Sequence, residues 1–285
     1  MKEFKGKVAV VTGGASGIGW GLAERCASEG MKVVIADIEE PALKQAEKTL
    51  KAGGVEALAV LTDVSRLSDI EALAQKTIDV FRGVHLLFNN AGVQPKASLT
   101  RPVWENSIAD WEWVIGVNLQ GVIYGVRVFM PIMLRQNTAC HIVNTSSMGG
   151  LIAEPQLVIY AVTKAGVVAL SEGLYLQLKQ KNSPVGVSVL CPAFVTSRIF
   201  EADRNRPANL QNPPDTQRLP SQAALVSQFS QVSPTISPEQ SADIVFKAIR
   251  EDTFYIFTDP LVQELFKQRA ENILQGRNPE RPHLP

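Results

Sequence analysis

The sequence predicts an α/β fold: a single-domain Rossmann fold built on a doubly wound parallel sheet of about seven strands, with helices on both faces. Three observations carry this reading. Short, wholly apolar, β-branched runs such as residues 8–11 and 33–36 read as strands buried on both faces. They alternate strictly with longer stretches whose apolar residues recur at helical spacing. A glycine-rich turn, with Gly13, Gly17 and Gly19, joins the first strand to the first helix.

The elements follow in order. The strand at 8–11 ends in the glycine turn, a helix runs over 20–29 to Gly30, and a second strand at 33–36 ends at Asp37. Together they make one βαβ unit. A helix at 39–52 stops at Gly53 and Gly54, a third strand spans 57–61, and a helix at 68–81 puts Ile70, Leu73, Ala74 and Ile78 on one face. Strand four is 86–88. One long helix is expected over 108–135, then a strand at 141–145, a helix at 160–181 and a strand at 185–191. The pattern then changes: residues 198–234 are rich in Pro, Gln, Asn and Ser, far longer than an ordinary connection. We read about 198–236 as a substrate lid. Ser237 with Gln240 has capping-box spacing and Pro238 at the first helical position, so a helix runs from there to about Arg250. A last strand at 254–257, a last helix at 261–274 and a flexible tail at about 276–285 complete residues 1–285.

Composition narrows the function. The 285 residues are 45% hydrophobic and balance 28 basic against 28 acidic side chains. No basic stripe suits nucleic acid or an anionic membrane. Cys26, Cys140 and Cys191 are odd in number and widely spaced, and with three histidines they suggest neither a disulfide frame nor a metal site. Buried free thiols in a reducing compartment are expected. The first residues are too short an apolar run for a signal segment, so a cytoplasmic location is expected.

Tyr160 and Lys164 lie four residues apart, so on a helix they share a face. An ammonium roughly 4 to 6 Å from a phenol, at an effective dielectric near ~20, is worth about 3 to 4 kcal/mol, enough to draw the phenol's pKa from near ~10 toward neutrality. Tyr160 is therefore a candidate acid and base. The turn with Gly13, Gly17 and Gly19 lets a pyrophosphate approach the helix's backbone N–H groups, and points to dinucleotide binding. Asp37, about twenty residues on, can accept from the adenosine ribose hydroxyls and repel a 2′-phosphate, which favours NAD. Ser16 and Ile38, beside the glycines and the aspartate, are neutral, leaving no basic group in that neighbourhood for a 2′-phosphate. Asp63 and Val64, ending the third strand, can reach an adenine edge or simply close a turn.

With these residues in place the chain resembles the short-chain dehydrogenase/reductase family, from Lys7 to about Leu274. Thr12 with Gly13, Gly17 and Gly19 resembles the family's cofactor loop, which implies that Ile18 also meets the cofactor. Asn89, Asn90, Ala91 and Gly92 resemble its strand-four motif. Asn118 matches its helix asparagine, Ser147 stands thirteen residues before Tyr160, and Tyr160 with Lys164 closes the tetrad. Residues Pro192 to Ser197 resemble its nicotinamide-contacting segment, including Val195, with Ala193 in place of the usual glycine and Ser197 in place of threonine.

The resemblance implies hydride transfer between NAD and a carbinol carbon. Tyr160 is the acid and base, Lys164 holds the ribose, Ser147 donates to the substrate oxygen, and Asn118 binds a water by its carbonyl or side chain. Ser146 is the rival for the serine role. The family pattern lines the substrate pocket with Gln94, Pro95, Met148, Gly149, Ile159, Ala193, Phe194, Ile199 and Phe200, beside Ser147 and Tyr160. Most are apolar, implying a secondary alcohol or ketone on a hydrophobic frame such as a cyclic alcohol, terpenoid or steroid. Trp104, Trp111 and Trp113 can extend that surface, though Trp111 reads as core. Val122, Val126, Phe129, Met133, Val167, Leu170, Leu174 and Leu178 exceed what one buried helix face needs, and the family implies a dimer or tetramer through these helices. Two alternatives remain: an NADP-dependent carbonyl or acyl-thioester reductase, and a non-catalytic nucleotide-sensing protein.

Overall fold

The computed structural model describes residues 1–152, 154–213 and 234–281. Seven parallel strands form one sheet in the order β3-β2-β1-β4-β5-β6-β7. They are β1 (Val8–Thr12), β2 (Lys32–Asp37), β3 (Ala57–Leu61), β4 (Leu86–Asn89), β5 (Cys140–Thr145), β6 (Val185–Cys191) and β7 (Tyr255–Phe257). Every residue of β1, β4 and β5 is buried, which is why these strands are apolar without alternation.

Alternate residues serve opposite faces. Ala9, Val11, Val33 and Ile35 pack against α1 (Gly17–Ser28), α2 (Glu40–Ala52) and α7 (Pro238–Glu251), through Leu22, Leu43, Phe246 and others. Val8, Val10, Val34 and Ile142 pack against α3 (Leu67–Phe81), α5 (Gly121–Gln136) and α6 (Val158–Gln180), through Leu73, Phe129, Met133 and Leu178. Leaving β1, the chain turns one way to β2 and the other way to β4, so a crevice opens where the strands' carboxyl ends diverge. Helix α7 opens on the expected capping box, with the Ser237 hydroxyl and Gln240 amide exchanging bonds with each other's backbone. Helix α8 (Pro260–Leu274) closes the chain.

Three expectations change. The single helix expected over 108–135 is α4 (Ile108–Ile115) and α5 joined by a π-helical turn, Gly116–Gln120. After the turn α5 packs closely on its neighbours: a Cβ on Gly121 would sit 2.9 Å from Val64, and one on Gly125 2.0 Å from Asn89 Oδ1. The extra residue per turn re-aims Asn118. Second, most of the apolar residues held to be surplus on the two long helices are core: Val122, Phe129, Met133, Val167 and Leu178 pack under the sheet, and Leu170 and Leu174 are partly buried against the same clusters. The large apolar residues these helices expose are Ile108, Ile123, Leu134, Val162 and Leu176. Helical segments 108–136 and 155–180 are long and apolar enough to cross a membrane, but their buried sides lie against this sheet. Third, only part of the expected 198–236 lid can be placed. The short helical turn Ile199–Asn205 borders the crevice and Ala208–Leu210 follows it, with Leu210 packed against the Trp113 cluster, while 214–233 fall outside the described residues, as do 282–285 of the tail.

Candidate active site

The crevice is a cavity of about 420 Å³ at the carboxyl ends of the strands. Its first wall is the glycine turn. Gly13 (φ +63°) and Gly17 (φ +52°) are in the left-handed region that other residues avoid. Thr12 fixes the turn to β4: its hydroxyl accepts from the N–H groups of Asn90 (2.9 Å) and Ala91 (3.1 Å) and donates to the Phe88 carbonyl. Ser16 and Ile18, at the start of α1, border the cavity. Gly19 does not. A Cβ there would meet the Gly13 carbonyl at 1.9 Å, so glycine is needed for the close packing of helix on turn.

Asp37 is 9% exposed at the end of β2, with Oδ2 accepting from Ala15 N–H and Oδ1 from Glu39 N–H. Burial pushes its pKa up, against the pull of those two donors. Ile38 flanks it. Asp63 and Val64 also border the cavity, but Asp63 Oδ1 is taken up locally by the Ser65 N–H (3.0 Å) and hydroxyl (2.6 Å). Asn90, Ala91 and Gly92 line the centre. Asn89 lies behind them, bonded through its amide to Asn144 Oδ1 at 2.8 Å, and Asn144 reaches Ser171 on α6. That buried chain ties strand four to the helix carrying the tyrosine.

Helix α6 presents Tyr160 and Lys164 one turn apart, with the ammonium 5.4 Å from the ring centroid. Ser147 stands near the Tyr160 ring: a Cβ on Gly149 would lie 3.6 Å from both the serine hydroxyl and the ring. Lys164 Nζ donates to the Thr145 carbonyl at 2.9 Å. Burial dominates both: it pushes the Tyr160 phenol up to about 12, against the pull of the Ser147 hydroxyl, and the Lys164 ammonium down to about 8. The expected drop of the phenol toward neutrality is therefore absent in the protein alone, because both groups lose water and the ammonium's own charge is disfavoured. The Ser146 hydroxyl donates to the Lys164 backbone carbonyl at 2.8 Å.

Asn118 is fully buried and does not reach the cavity. Its side chain clasps Val93, with Oδ1 accepting from the N–H (2.8 Å) and Nδ2 donating to the carbonyl (2.9 Å). The expected water site on this side chain is thus filled by protein.

Pro192, Ala193, Phe194, Val195 and Ser197 pass along the opposite rim, with Ala193 N–H held by the Thr258 hydroxyl. Ser197 Cβ lies 3.0 Å from where a Gly17 Cβ would be, so this segment meets the glycine turn directly. At the far end Met148, Gly149, Ile199 and Phe200 line the cavity with Gln94, whose Nε2 donates to Ser98 and whose Oε1 is buried without a partner among the described residues. Pro95 and Ile159 stand off it; Ile159 is core. Trp113 is buried against it, whereas Trp104 is 80% exposed and Trp111 half-buried.

Sequence reasoning missed a second layer. Arg198 and Arg204 reach Glu39 from about 160 residues along the chain, so the neighbourhood of Asp37 is not free of basic groups. Arg206 forms a buried ion pair with Asp110 at 2.6 Å and stacks over Trp113, 5.2 Å from the ring. At the mouth Arg281 pairs with Glu154 at 3.5 Å. None of these pairs has a local motif. The donors and glycines on the first wall, with the Asp37 carboxylate beyond them, fit a dinucleotide.

Comparison with known proteins agrees with this construction. Residues 7–208 match the family model described as short chain dehydrogenase. The chain is 33% identical over 282 residues to a CLA biosynthesis dehydrogenase/reductase of Lactiplantibacillus plantarum, covering 98% of this chain and 97% of that one. It is 34% identical over 280 residues to a C alpha-dehydrogenase of a Sphingobium species, covering 98% and 89%. A crystal structure of a short chain dehydrogenase/reductase from Burkholderia phymatum, in complex with NAD, superposes with a TM-score of 0.89 at 45% identity over 99% of both chains. The fold is thus shared over almost the full length, and the chain belongs to the short-chain dehydrogenase family.

Proposed function

We propose that the protein is an NAD-dependent oxidoreductase that interconverts a secondary alcohol and a ketone on a mainly hydrophobic small molecule. The observation that carries this reading is one cavity with Gly13, Gly17 and Asp37 at one end and Ser147, Tyr160 and Lys164 at the other. The NAD complex of the Burkholderia phymatum relative supports the cofactor. A nicotinamide cofactor bound there would supply or accept the hydride, held by residues of the glycine turn, Asp37 and Lys164. Asp37 orients the adenosine ribose hydroxyls and repels a 2′-phosphate. Tyr160 takes the hydroxyl proton in oxidation and returns it in reduction, while Ser147 donates to the substrate oxygen where charge develops. Lys164 holds ribose hydroxyls and, as an ammonium, favours the phenolate. With the Asn118 side chain engaged by Val93, its backbone carbonyl is the group assigned to a water that carries the proton onward.

The substrate end is walled by Met148, Ala193, Phe194, Ile199, Phe200 and Trp113, which suits an apolar carbon frame. Ile123, Val162 and Leu176 give the long helices an exposed apolar strip for a second copy, in a dimer or tetramer. Buried free thiols at Cys26, Cys140 and Cys191 suit the reducing cytoplasm. The test is turnover of a panel of cyclic and aromatic secondary alcohols with NAD and with NADP, followed by absorbance of the reduced nicotinamide. NAD-linked oxidation of apolar members is expected; a panel on which only NADP works, or on which nothing turns over while NAD binds tightly, contradicts the reading.

A further inference from the structure

The adenosine end of the cavity holds two arginines that the βαβ unit does not supply. Arg198 and Arg204 border the cavity beside Ile38 and Glu39. Both pair with Glu39: Arg204 Nε donates to Oε1 at 3.0 Å and its second terminal nitrogen pairs with the same oxygen, while Arg198 lies 3.6 Å from Oε2. Asn205 Nδ2 adds a third donor to Oε1 at 3.0 Å. Glu39 is two residues beyond Asp37, and its N–H is bonded to the Asp37 carboxylate. The cluster therefore stands next to the carboxylate that faces the adenosine ribose.

The arginines are held in place by more than Glu39. Arg204 Nη1 donates to the carbonyls of Arg198 (3.2 Å) and Glu201 (2.9 Å), and Arg198 Nε donates to the Glu201 carboxylate at 2.8 Å. The segment carrying them is anchored twice more, by Asp203 accepting from the Lys96 N–H at 3.0 Å and by the buried Arg206–Asp110 pair. Without the Glu39 charge these bonds would keep the guanidiniums at this rim, with the donors that now meet Glu39 left unengaged. Arginine forks are the groups that recognise phosphate, and a 2′-phosphate is what distinguishes NADP from NAD.

We propose that Glu39 is a second determinant of cofactor choice, beside Asp37: it occupies Arg198 and Arg204, which would otherwise receive a 2′-phosphate. The inference rests on the dinucleotide reading above, and its test measures binding rather than turnover. Dissociation constants for NADH and NADPH are read by titrating nicotinamide fluorescence against wild type, Glu39→Gln, and the triple variant Glu39→Gln, Arg198→Gln, Arg204→Gln, at one fixed low salt concentration.

In Glu39→Gln the NADPH-to-NADH affinity ratio should rise at least tenfold over wild type, and in the triple variant that gain should vanish. An unchanged ratio in Glu39→Gln overturns the proposal, and so does a gain that survives in the triple variant, since loss of one negative charge would then suffice. Arg204→Gln alone, with Glu39 intact, should not raise the ratio; a rise there also overturns it. Wild type that binds neither dinucleotide, or prefers NADPH, sinks the NAD reading itself and is told apart from these outcomes by the wild-type titration alone.

Discussion

Asn118 and Val93 exchange two hydrogen bonds, the asparagine side chain accepting from the valine N–H at 2.8 Å and donating to its carbonyl at 2.9 Å. A side chain here completes a backbone that has no strand partner just after β4, and it does so from a π turn that aims it inward. The segment it holds, Gly92 to Gln94, is the floor between Lys164 and the substrate end.

Asn118→Ala leaves a buried N–H and a buried carbonyl without partners, each worth about 1 to 3 kcal/mol. We expect a loss of about 2 to 4 kcal/mol in denaturant unfolding, together with at least a tenfold fall in turnover as the floor shifts. An unfolding midpoint equal to wild type would show that Val93 is not held by this residue.

Lys164 makes stability depend on pH. Its folded pKa, about 8, lies below the ordinary lysine value of 10.5, so between those values the unfolded chain binds more protons than the native one, and stability rises with pH. Below about 8 the cost of the buried ammonium is fully present. Lys164→Met removes it, so the stability of wild type relative to this variant should improve by about 2 kcal/mol from pH 7.5 to pH 10, read by thermal or denaturant unfolding at each pH. A pH-independent difference would contradict a buried, depressed ammonium. The Tyr160 phenol acts in the opposite direction and only higher, destabilising the fold as pH rises from its ordinary 10 toward about 12.

Asp110 and Arg206 are both buried, and each is satisfied by more than the other: Asn212 and Ser107 bond the carboxylate, and the Leu210 carbonyl accepts from Arg206. Burial pushes the carboxyl's pKa up, yet the guanidinium and the Asn212 amide bring it below the ordinary range. Asp110→Ala should cost about 3 to 5 kcal/mol, because it strands a buried guanidinium. Replacing both by apolar residues, Asp110→Leu with Arg206→Met, should recover more than half of that loss in the same unfolding assay. A double variant as unstable as the single one would place the cost in the side chains' other bonds.

Val162 and Leu176 are 49% and 60% exposed on α6, the helix that carries Tyr160. If a second copy covers them, Val162→Arg with Leu176→Arg should reduce the mass seen by light scattering, while wild type runs as a dimer or tetramer. A wild-type monomer would contradict the oligomer.

Much of this was legible in the sequence because the physics behind it is local. Strands buried on both faces must be apolar throughout, so β1, β2 and β6 declare themselves. Tyr160 and Lys164 meet because a helix brings residues four apart together. Glycines show where no side chain fits, although Gly19 turned out to serve packing. What escaped is non-local. The Glu39–Arg204 contact spans 165 residues and Arg206–Asp110 spans 96, and no periodicity marks either. The π turn escaped because one inserted residue barely disturbs the apolar rhythm of a long helix. The phenol's pKa went the wrong way because the sequence shows the neighbouring charge but not the water that folding removes.

The central claim is that Tyr160 moves the proton in an NAD-linked alcohol oxidation. The most direct measurement sets wild type beside Tyr160→Phe, recording turnover of an apolar secondary alcohol with NAD and, in the same preparations, NADH affinity by fluorescence. Loss of turnover by a thousandfold or more, with NADH affinity within a few fold of wild type, is the predicted result. Turnover that survives in Tyr160→Phe would contradict it and move the acid–base role to another group in the cavity.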